Sequence, residues 1–190
     1  PGIMTAIITN RMLMWGLLIG ELALVWYVSA RIDRLSLSTA TLLFVLYSVL
    51  NGATLSIIFL AYKMTSIASV FFITAGTFAA MSLVGYFTKK DLSGLGRILF
   101  MALIGLVIAT LVNVFLLKDA GFGLIVSYVG VLIFVGLTAY DTQKIKNMLV
   151  EADDVSAETQ KIALMGALAL YLDFINLFLY LLRIFGSSRE

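Results

Sequence analysis

The last apolar segment of the sequence, residues 162–185, constrains the fold more than any other stretch. A helix of about 20 residues, rising ~1.5 Å per residue, crosses the ~30 Å hydrocarbon core of a bilayer, so this segment is long enough to span one. It carries Asp173 near its middle and Asn176 three positions later, which places both on one helix face. A charged carboxylate at the bilayer centre costs about 2.5–3.5 kcal/mol, so such a residue faces a bundle interior or a water-filled cavity. We therefore predict a central helix with other helices around it.

The composition places the chain among polytopic membrane proteins. Hydrophobic residues make up 62% and charged residues 13% of its 190 positions, and the mean hydropathy of +1.07 is well above that of soluble domains. We predict an all-α membrane bundle that forms one integral membrane domain over residues 1–190 in the lipid bilayer. The predicted spans are residues 12–29, 37–62, 67–87, 98–117, 124–141 and 162–185.

The residue types that the sequence lacks narrow its chemistry. It contains no cysteine and no histidine, which excludes disulfides, thiol or histidine catalysis, histidine-bound haem and the usual zinc and copper sites. A net charge of only +2 and the lack of a basic cluster exclude a nucleic-acid-binding surface. We expect neither a cofactor nor an enzymatic activity. The chemistry has to use carboxylates, amides, hydroxyls and backbone.

The distribution of basic residues orients the predicted spans. The segments 31–34, 89–97 and 144–161 fall on one side and hold eight Lys and Arg, against five on the other side. The positive-inside rule makes the first side cytoplasmic, so both chain ends lie on the opposite side. Because the sequence opens with Pro1 and Gly2, we expect a further helix before Pro1, which gives seven spans. Short loops and a tail without a retention signal favour a bacterial inner membrane.

Three acidic residues lie in or near the predicted spans: Glu21, Asp141 and Asp173. Ionised and unpaired in lipid, they would together cost about 8–10 kcal/mol, which is comparable to the whole stability of a domain. Three states avoid this cost: an ion pair with Arg31 or Arg34, two carboxyls that share one proton, or a hydrated site that binds cations. A fourth interpretation makes the acidic residues hydrogen-bonding contacts between helices, as we expect for the Ser, Thr and Asn of the second span.

These residue types suit hard divalent cations such as Ca²⁺. Hard divalent ions take oxygen ligands, and Asp, Glu, Asn and carbonyls are the strong ligands that the spans offer. Two or three carboxylates are too few for a tight site of about six to eight oxygens, but they suit the weak, hydrated binding that permeation requires. We therefore predict weak Ca²⁺ binding at Glu21, Asp141 and Asp173, with Asn176 beside Asp173. The acidic segment 151–158 is expected to be a solvated loop.

Two motifs carry a family resemblance: VGLTAYDTQKIK at residues 135–146 and LALYLDFINLFLYLLRIFG at residues 168–186. With them the chain resembles the transmembrane Bax-inhibitor-motif family over essentially its whole length, although only six spans are visible. The resemblance implies a seven-helix fold whose last helix is wrapped by the other six, and a pH-sensitive calcium leak across the membrane. It also implies that Asp141 and Asp173 form a proton-sharing pair at the pore and that Glu21 lines the path. Arg31, or Arg34 in its place, would latch onto Asp141 when that carboxyl is ionised.

These observations lead to one main hypothesis and three alternatives. The main hypothesis is a calcium leak channel gated by protonation of the aspartate pair, with Ca²⁺ and H⁺ as its ligands. A non-conducting adaptor that binds other membrane proteins is the first alternative, and a proton-coupled cation exchanger is the second, since buried carboxylates serve exchangers too. An intramembrane aspartyl protease is the third, with Asp141 and Asp173 as a dyad. It is disfavoured because the chain lacks Gly-x-Gly-Asp and Pro-Ala-Leu, its one proline being Pro1.

Overall fold

The computed structural model of this protein describes residues 10–152 and 154–188, and for residues 11 and 33 the backbone alone. Six helices in this part of the chain are long and apolar enough to cross a membrane. They are α1 (Arg11–Arg31), α2 (Leu37–Leu55), α3 (Met64–Phe87), α4 (Ser93–Val112), α5 (Ala120–Glu151) and α6 (Ala157–Phe185). The predicted all-α membrane bundle with six visible spans is confirmed. The expectation of a helix before Pro1 lies outside the described residues.

The last two helices extend well beyond the apolar spans predicted for them. α5 continues ten residues past position 141, because the stretch TQKIKNMLVE contains good helix formers and neither Gly nor Pro. At 32 residues α5 is about 48 Å long, so its last turns stand clear of a ~30 Å hydrocarbon core. α6 begins five residues before position 162, at a cap where the Ser156 hydroxyl accepts a hydrogen bond from the Thr159 N–H (3.3 Å).

Two of the predicted spans are interrupted. The second breaks after α2, and a single helical turn, Ile58–Ala61, follows a bend in which the Ser56 hydroxyl donates to a backbone carbonyl (2.6 Å). The fourth ends in a π-helical turn, Asn113–Leu117, closed by Lys118 in the left-handed conformation (φ 51°). The Asn113 side chain accepts a hydrogen bond from the Asp119 N–H (3.1 Å). Polar groups that bond to nearby backbone therefore break helices where hydropathy alone predicts continuous spans.

α5 and α6 form the centre of the bundle. They pack against each other, while α5 also contacts α3 and α4, and α6 also contacts α2 and α3. Leu177 and Leu182 of α6 are almost completely enclosed in the main apolar core. The α1–α2 hairpin joins α6 through a second, smaller core of Val28, Tyr47 and Leu168. The last helix is central, as predicted, and shares that place with α5.

Loops 32–36, 88–92 and 152–156 share one end of the bundle, because successive spanning helices alternate in direction. Eight Lys and Arg lie in or next to these loops, so the positive-inside rule assigns this end to the cytoplasm. We call it the cytoplasmic end.

Gly85 marks the closest approach of α3 to α5. A Cβ at this position would overlap the backbone carbonyl of Ala139, which cannot move without shifting α5. We expect Gly85→Ala to lower the free energy of unfolding by about 2–3 kcal/mol through overpacking. Gly76→Ala on the same helix is the matched control: a Cβ there meets nothing within 4 Å, so the change should be neutral or stabilising by up to about 1 kcal/mol. Thermal unfolding in detergent measures both, and equal midpoints would contradict this packing.

Candidate functional site

α5 and α6 bring Asp141 and Asp173 together where these two helices pack against each other. Their carboxyl groups lie within hydrogen-bonding range of each other. Asp173 is only 4% exposed, and its Oδ2 has no hydrogen-bond partner among the described groups. Two ionised carboxylates are both acceptors, so they can hydrogen-bond to each other only when they share a proton. The geometry therefore suits a pair that titrates as one unit.

A cavity of 930 Å³ opens beside this pair, between α4, α5, α6 and the end of α1. We call it the central cavity. Its polar lining residues are Ser29, Arg97, Asp141, Lys144, Asp173 and Asn176. Asp173 and Asn176 thus line one space, in agreement with their spacing of three. The α4 wall runs from Arg97 to Val107, which is about 15 Å along the helix and leads from the cytoplasmic end into the bundle.

The inner part of the central cavity is apolar. Phe134 and Leu137 line it and also belong to the main core. The ring of Phe134 stacks on that of Tyr180, with the centroids 5.9 Å apart. Beyond these residues α4, α5 and α6 pack through the apolar side chains of that core. The carboxyl pair therefore lies between the polar outer part of the central cavity and its apolar inner end at Phe134 and Leu137.

Glu21 lies in a different polar cluster, between α1, α2 and α6. It is 6% exposed and accepts hydrogen bonds from the Thr54 hydroxyl (2.5 Å) and the Asn51 amide (3.2 Å). The Tyr171 hydroxyl in turn donates to Asn51 Oδ1 (2.9 Å). Tyr171 and Asp173 are two positions apart on α6, so they project about 200° from each other. The Glu21 cluster and the aspartate pair therefore occupy different sides of α6.

The three predicted calcium ligands do not come together. Glu21 is not among the residues that line the central cavity. No group of three or more Asp and Glu side chains forms within residues 10–152 and 154–188. The physical reason is that α1 turns Glu21 toward Asn51 and Thr54 of α2, which satisfy its carboxylate. A cation at this centre would have two carboxylates at most, completed by water.

Arg31 and Arg34 are exposed at the cytoplasmic end and line neither the central cavity nor the one next to it. Ser29 lines the central cavity and Ile32 lines a neighbouring one that also reaches Asp141, so the end of α1 adjoins that residue. Neither arginine forms an ion pair with a side chain that the structure describes. The arginine latch stays a prediction.

The basic residue closest to Asp141 along the chain is Lys144, one turn further along α5. It also lines the central cavity. From its place in the sequence, Lys144 counted only among the loop cations that set the topology. Its spacing of three from Asp141 was the signal that could have identified it.

Gln143 is a second residue that the sequence analysis did not single out. Its side chain is buried in α5 and holds the loop between α3 and α4 by three hydrogen bonds to backbone. Its Nε2 donates to the carbonyls of Thr88 (3.1 Å) and Lys90 (2.9 Å), and its Oε1 accepts from the N–H of Leu92 (2.9 Å). In the same loop, hydrogen bonds from Ser93 hold the pKa of the Asp91 carboxyl below its usual range. Gln143 therefore fixes the start of α4, which forms a wall of the central cavity.

Replacing Gln143 with Leu is expected to lower the free energy of unfolding by about 1–2 kcal/mol, because three backbone groups of a partly buried loop lose their partners. Gln160→Leu is the control: Gln160 is exposed and makes one long bond, of 3.3 Å, to the Val155 carbonyl, so its effect should stay within about 0.5 kcal/mol. Hydrogen exchange of residues 88–92 reports the predicted loosening directly. Unchanged protection of that loop in Gln143→Leu would contradict the assigned role.

The fold and this site define a polytopic helical membrane protein with a carboxyl pair between its last two helices, in which Asp173 is buried and Asp141 half-buried. The chain matches, over residues 2–190, the family described as "Inhibitor of apoptosis-promoting Bax1". The chain belongs to this Bax-inhibitor family, which confirms the resemblance seen in its motifs.

Several bacterial relatives cover nearly the whole chain. It is 57% identical to "Inner membrane protein YbhL" of Escherichia coli (strain K12) over 188 residues, which are 98% of this chain and 80% of that protein. It is 46% identical to a protein of Borreliella burgdorferi over 184 residues, covering 97% and 79% of the two chains. A membrane protein of Streptococcus pyogenes serotype M1 is 42% identical over 186 residues, covering 98% and 80%. The predicted location in a bacterial inner membrane is confirmed.

Proposed function

We propose that this protein is a calcium leak channel whose opening is set by protonation of the Asp141–Asp173 pair. The observation that carries the proposal is the position of the pair: two carboxyls within hydrogen-bonding range on the wall of a 930 Å³ cavity. Because the two carboxyls come from α5 and α6, the charge state of the pair depends on how these two helices pack against each other. A change in that charge state can therefore move the two central helices relative to each other.

The two charge states of the pair differ in what they bind. With one shared proton, one carboxyl donates to the other and the pair bridges α5 and α6. Without it, two like charges face each other in a poorly hydrated site and repel, unless a cation or a basic side chain intervenes. Ca²⁺ with water from the cavity is one such partner, bound weakly enough to leave again. Lys144 and Arg97 are the basic side chains that line the cavity, and Arg31 and Arg34 lie in the segment after Ser29, which also lines it.

The test is uptake of radiolabelled Ca²⁺ into liposomes that contain the purified protein, from about pH 6 to about pH 8 with equal pH on both sides. We expect saturable uptake above that of protein-free liposomes, with a rate that changes across this range. Folded protein that gives no uptake above protein-free liposomes would overturn the proposal. It would then favour the adaptor, to be followed by a search for membrane-protein partners.

A proton-coupled cation exchanger is a second candidate, favoured by one observation. The central cavity ends at the apolar side chains of Phe134 and Leu137, which also belong to the main core. We infer that an ion reaches the pair from the cytoplasmic end. Access from one side at a time is how a carrier exchanges H⁺ for a cation. A pH gradient imposed with equal Ca²⁺ on both sides separates the two functions. An exchanger accumulates Ca²⁺ under these conditions, and a leak channel does not.

A further inference from the structure

A second cavity, of 420 Å³, lies at the cytoplasmic end between α5, α6 and the turn after α1. We call it the interface cavity. Its walls combine charged and apolar side chains, among them Asp141, Lys144, Glu158, Lys161, Met148 and Met165. Sites for small ligands typically have about 300–1,000 Å³, mostly apolar walls and a few converging polar groups. The interface cavity fits this description.

The interface cavity lies at the depth of lipid headgroups. It extends from Asp141 toward the end of α5 and faces the first turns of α6. Counted from Ala120, the first ~30 Å of α5 end near residue 140. The remaining roughly 18 Å of the helix, up to Glu151, extend beyond the hydrocarbon core at the cytoplasmic end. Lys144 and Lys161 therefore stand where the phosphates of the cytoplasmic leaflet are found.

The charged groups of the interface cavity are available to a ligand. The ammonium groups of Lys144 and Lys161 and the carboxylate of Glu158 form no ion pair or side-chain hydrogen bond with any residue that the structure describes. Asp141, on the inner wall, is directed to Asp173. Two ammonium groups can hold a phosphodiester, and a carboxylate can hold an ammonium group.

We propose that the interface cavity binds an aminophospholipid of the cytoplasmic leaflet. Lys144 and Lys161 hold its phosphodiester, and Glu158 holds its primary ammonium group. Charge complementarity selects this ligand: Lys144 and Lys161 face its phosphodiester, and Glu158 faces its ammonium group. A choline headgroup has the same charge but no N–H to donate to Glu158, and an anionic glycerol headgroup leaves Glu158 without a positive partner. Met148 and Met165 give adaptable apolar surface to the acyl chains.

Lipid titration of the detergent-purified full chain tests this proposal, with native mass spectrometry to count bound lipids. Phosphatidylethanolamine, phosphatidylcholine and phosphatidylglycerol with identical acyl chains are compared. We expect the ethanolamine lipid to bind most tightly. The double variant Lys144→Gln/Lys161→Gln should weaken its binding roughly 30-fold, since each basic residue near a phosphate contributes several-fold. Glu158→Leu should instead reduce the preference for ethanolamine over choline to about 1, because the acceptor for the ammonium N–H is gone while the phosphate contacts are kept.

Lys89→Gln is the matched control, because Lys89 is exposed at the same end of the bundle but does not line the interface cavity. Equal binding of the three lipids, tightest binding of the glycerol lipid, or unchanged binding in the double lysine variant would each overturn the proposal. The ranking of lipids on the unmodified protein needs no variant, so a misfolded variant cannot hide the answer. No ion flux is measured, and the result is therefore independent of the proposed channel function.

Discussion

Replacing Asp173 with Asn is expected to abolish the pH dependence of calcium uptake. The new amide keeps the size of the carboxyl and donates an N–H to Asp141, as the shared proton does, but it does not titrate. The variant should therefore behave as if the pair were permanently protonated. In liposomes, the ratio of its uptake rates at about pH 6 and about pH 8 should be close to 1, while occupancy of one shared proton in the wild type changes up to roughly tenfold per pH unit.

Two further variants decide whether the effect belongs to the pair. Asp141→Asn should flatten the pH profile equally, because the proton is a property of both carboxyls. Glu151→Gln removes an exposed carboxylate from the end of the same helix and should leave the profile of the wild type. Full pH dependence in either aspartate variant, with correctly folded protein, would contradict gating by a shared proton.

The aspartate pair shows which features of the site could be predicted from the sequence. Hydropathy located the spans, and the cost of a buried carboxylate made Asp173 face the bundle interior. The spacing of three placed Asn176 beside it, and both line the central cavity. The pairing of Asp173 with Asp141 came from the motifs, because no local pattern joins residues on two helices.

The Glu21 cluster shows which contacts could not be predicted from the sequence. α1 is apolar on all sides apart from this residue, so nothing in its pattern tells which face meets a neighbour. The partners of Glu21 lie 30 and 33 positions away on α2, and Tyr171 joins from 120 positions beyond Asn51. Such contacts depend on how the α1–α2 hairpin docks on α6. The same holds for Gln143, whose three partners in the loop after α3 lie more than 50 positions away.

Replacing Glu21 with Met is expected to lower the free energy of unfolding by about 2–3 kcal/mol. The Glu21 side chain is 6% exposed, and the half-buried donors of Asn51 and Thr54 lose their acceptor. Glu21→Gln is the matched control and should cost less than about 1 kcal/mol, because its oxygen can accept from Asn51 while its NH₂ donates to the Thr54 hydroxyl oxygen. Unfolding by SDS titration in mixed micelles measures both. Equal stability of the Met variant and the wild type would contradict the cluster.

A double variant tests the cluster further, and uptake tests its link to transport. Thr54→Val removes one of the two orphaned donors, so Glu21→Met/Thr54→Val should be about 1 kcal/mol more stable than the sum of the single changes predicts.

Glu21→Gln keeps the fold and replaces the carboxylate with an uncharged amide. This variant therefore distinguishes a structural role of Glu21 in helix packing from a role in lining an ion path. Uptake that falls several-fold in this variant at unchanged stability would support a place for Glu21 on the path. Unchanged uptake would confine Glu21 to joining the α1–α2 hairpin to α6, since its carboxylate is then needed only as an acceptor.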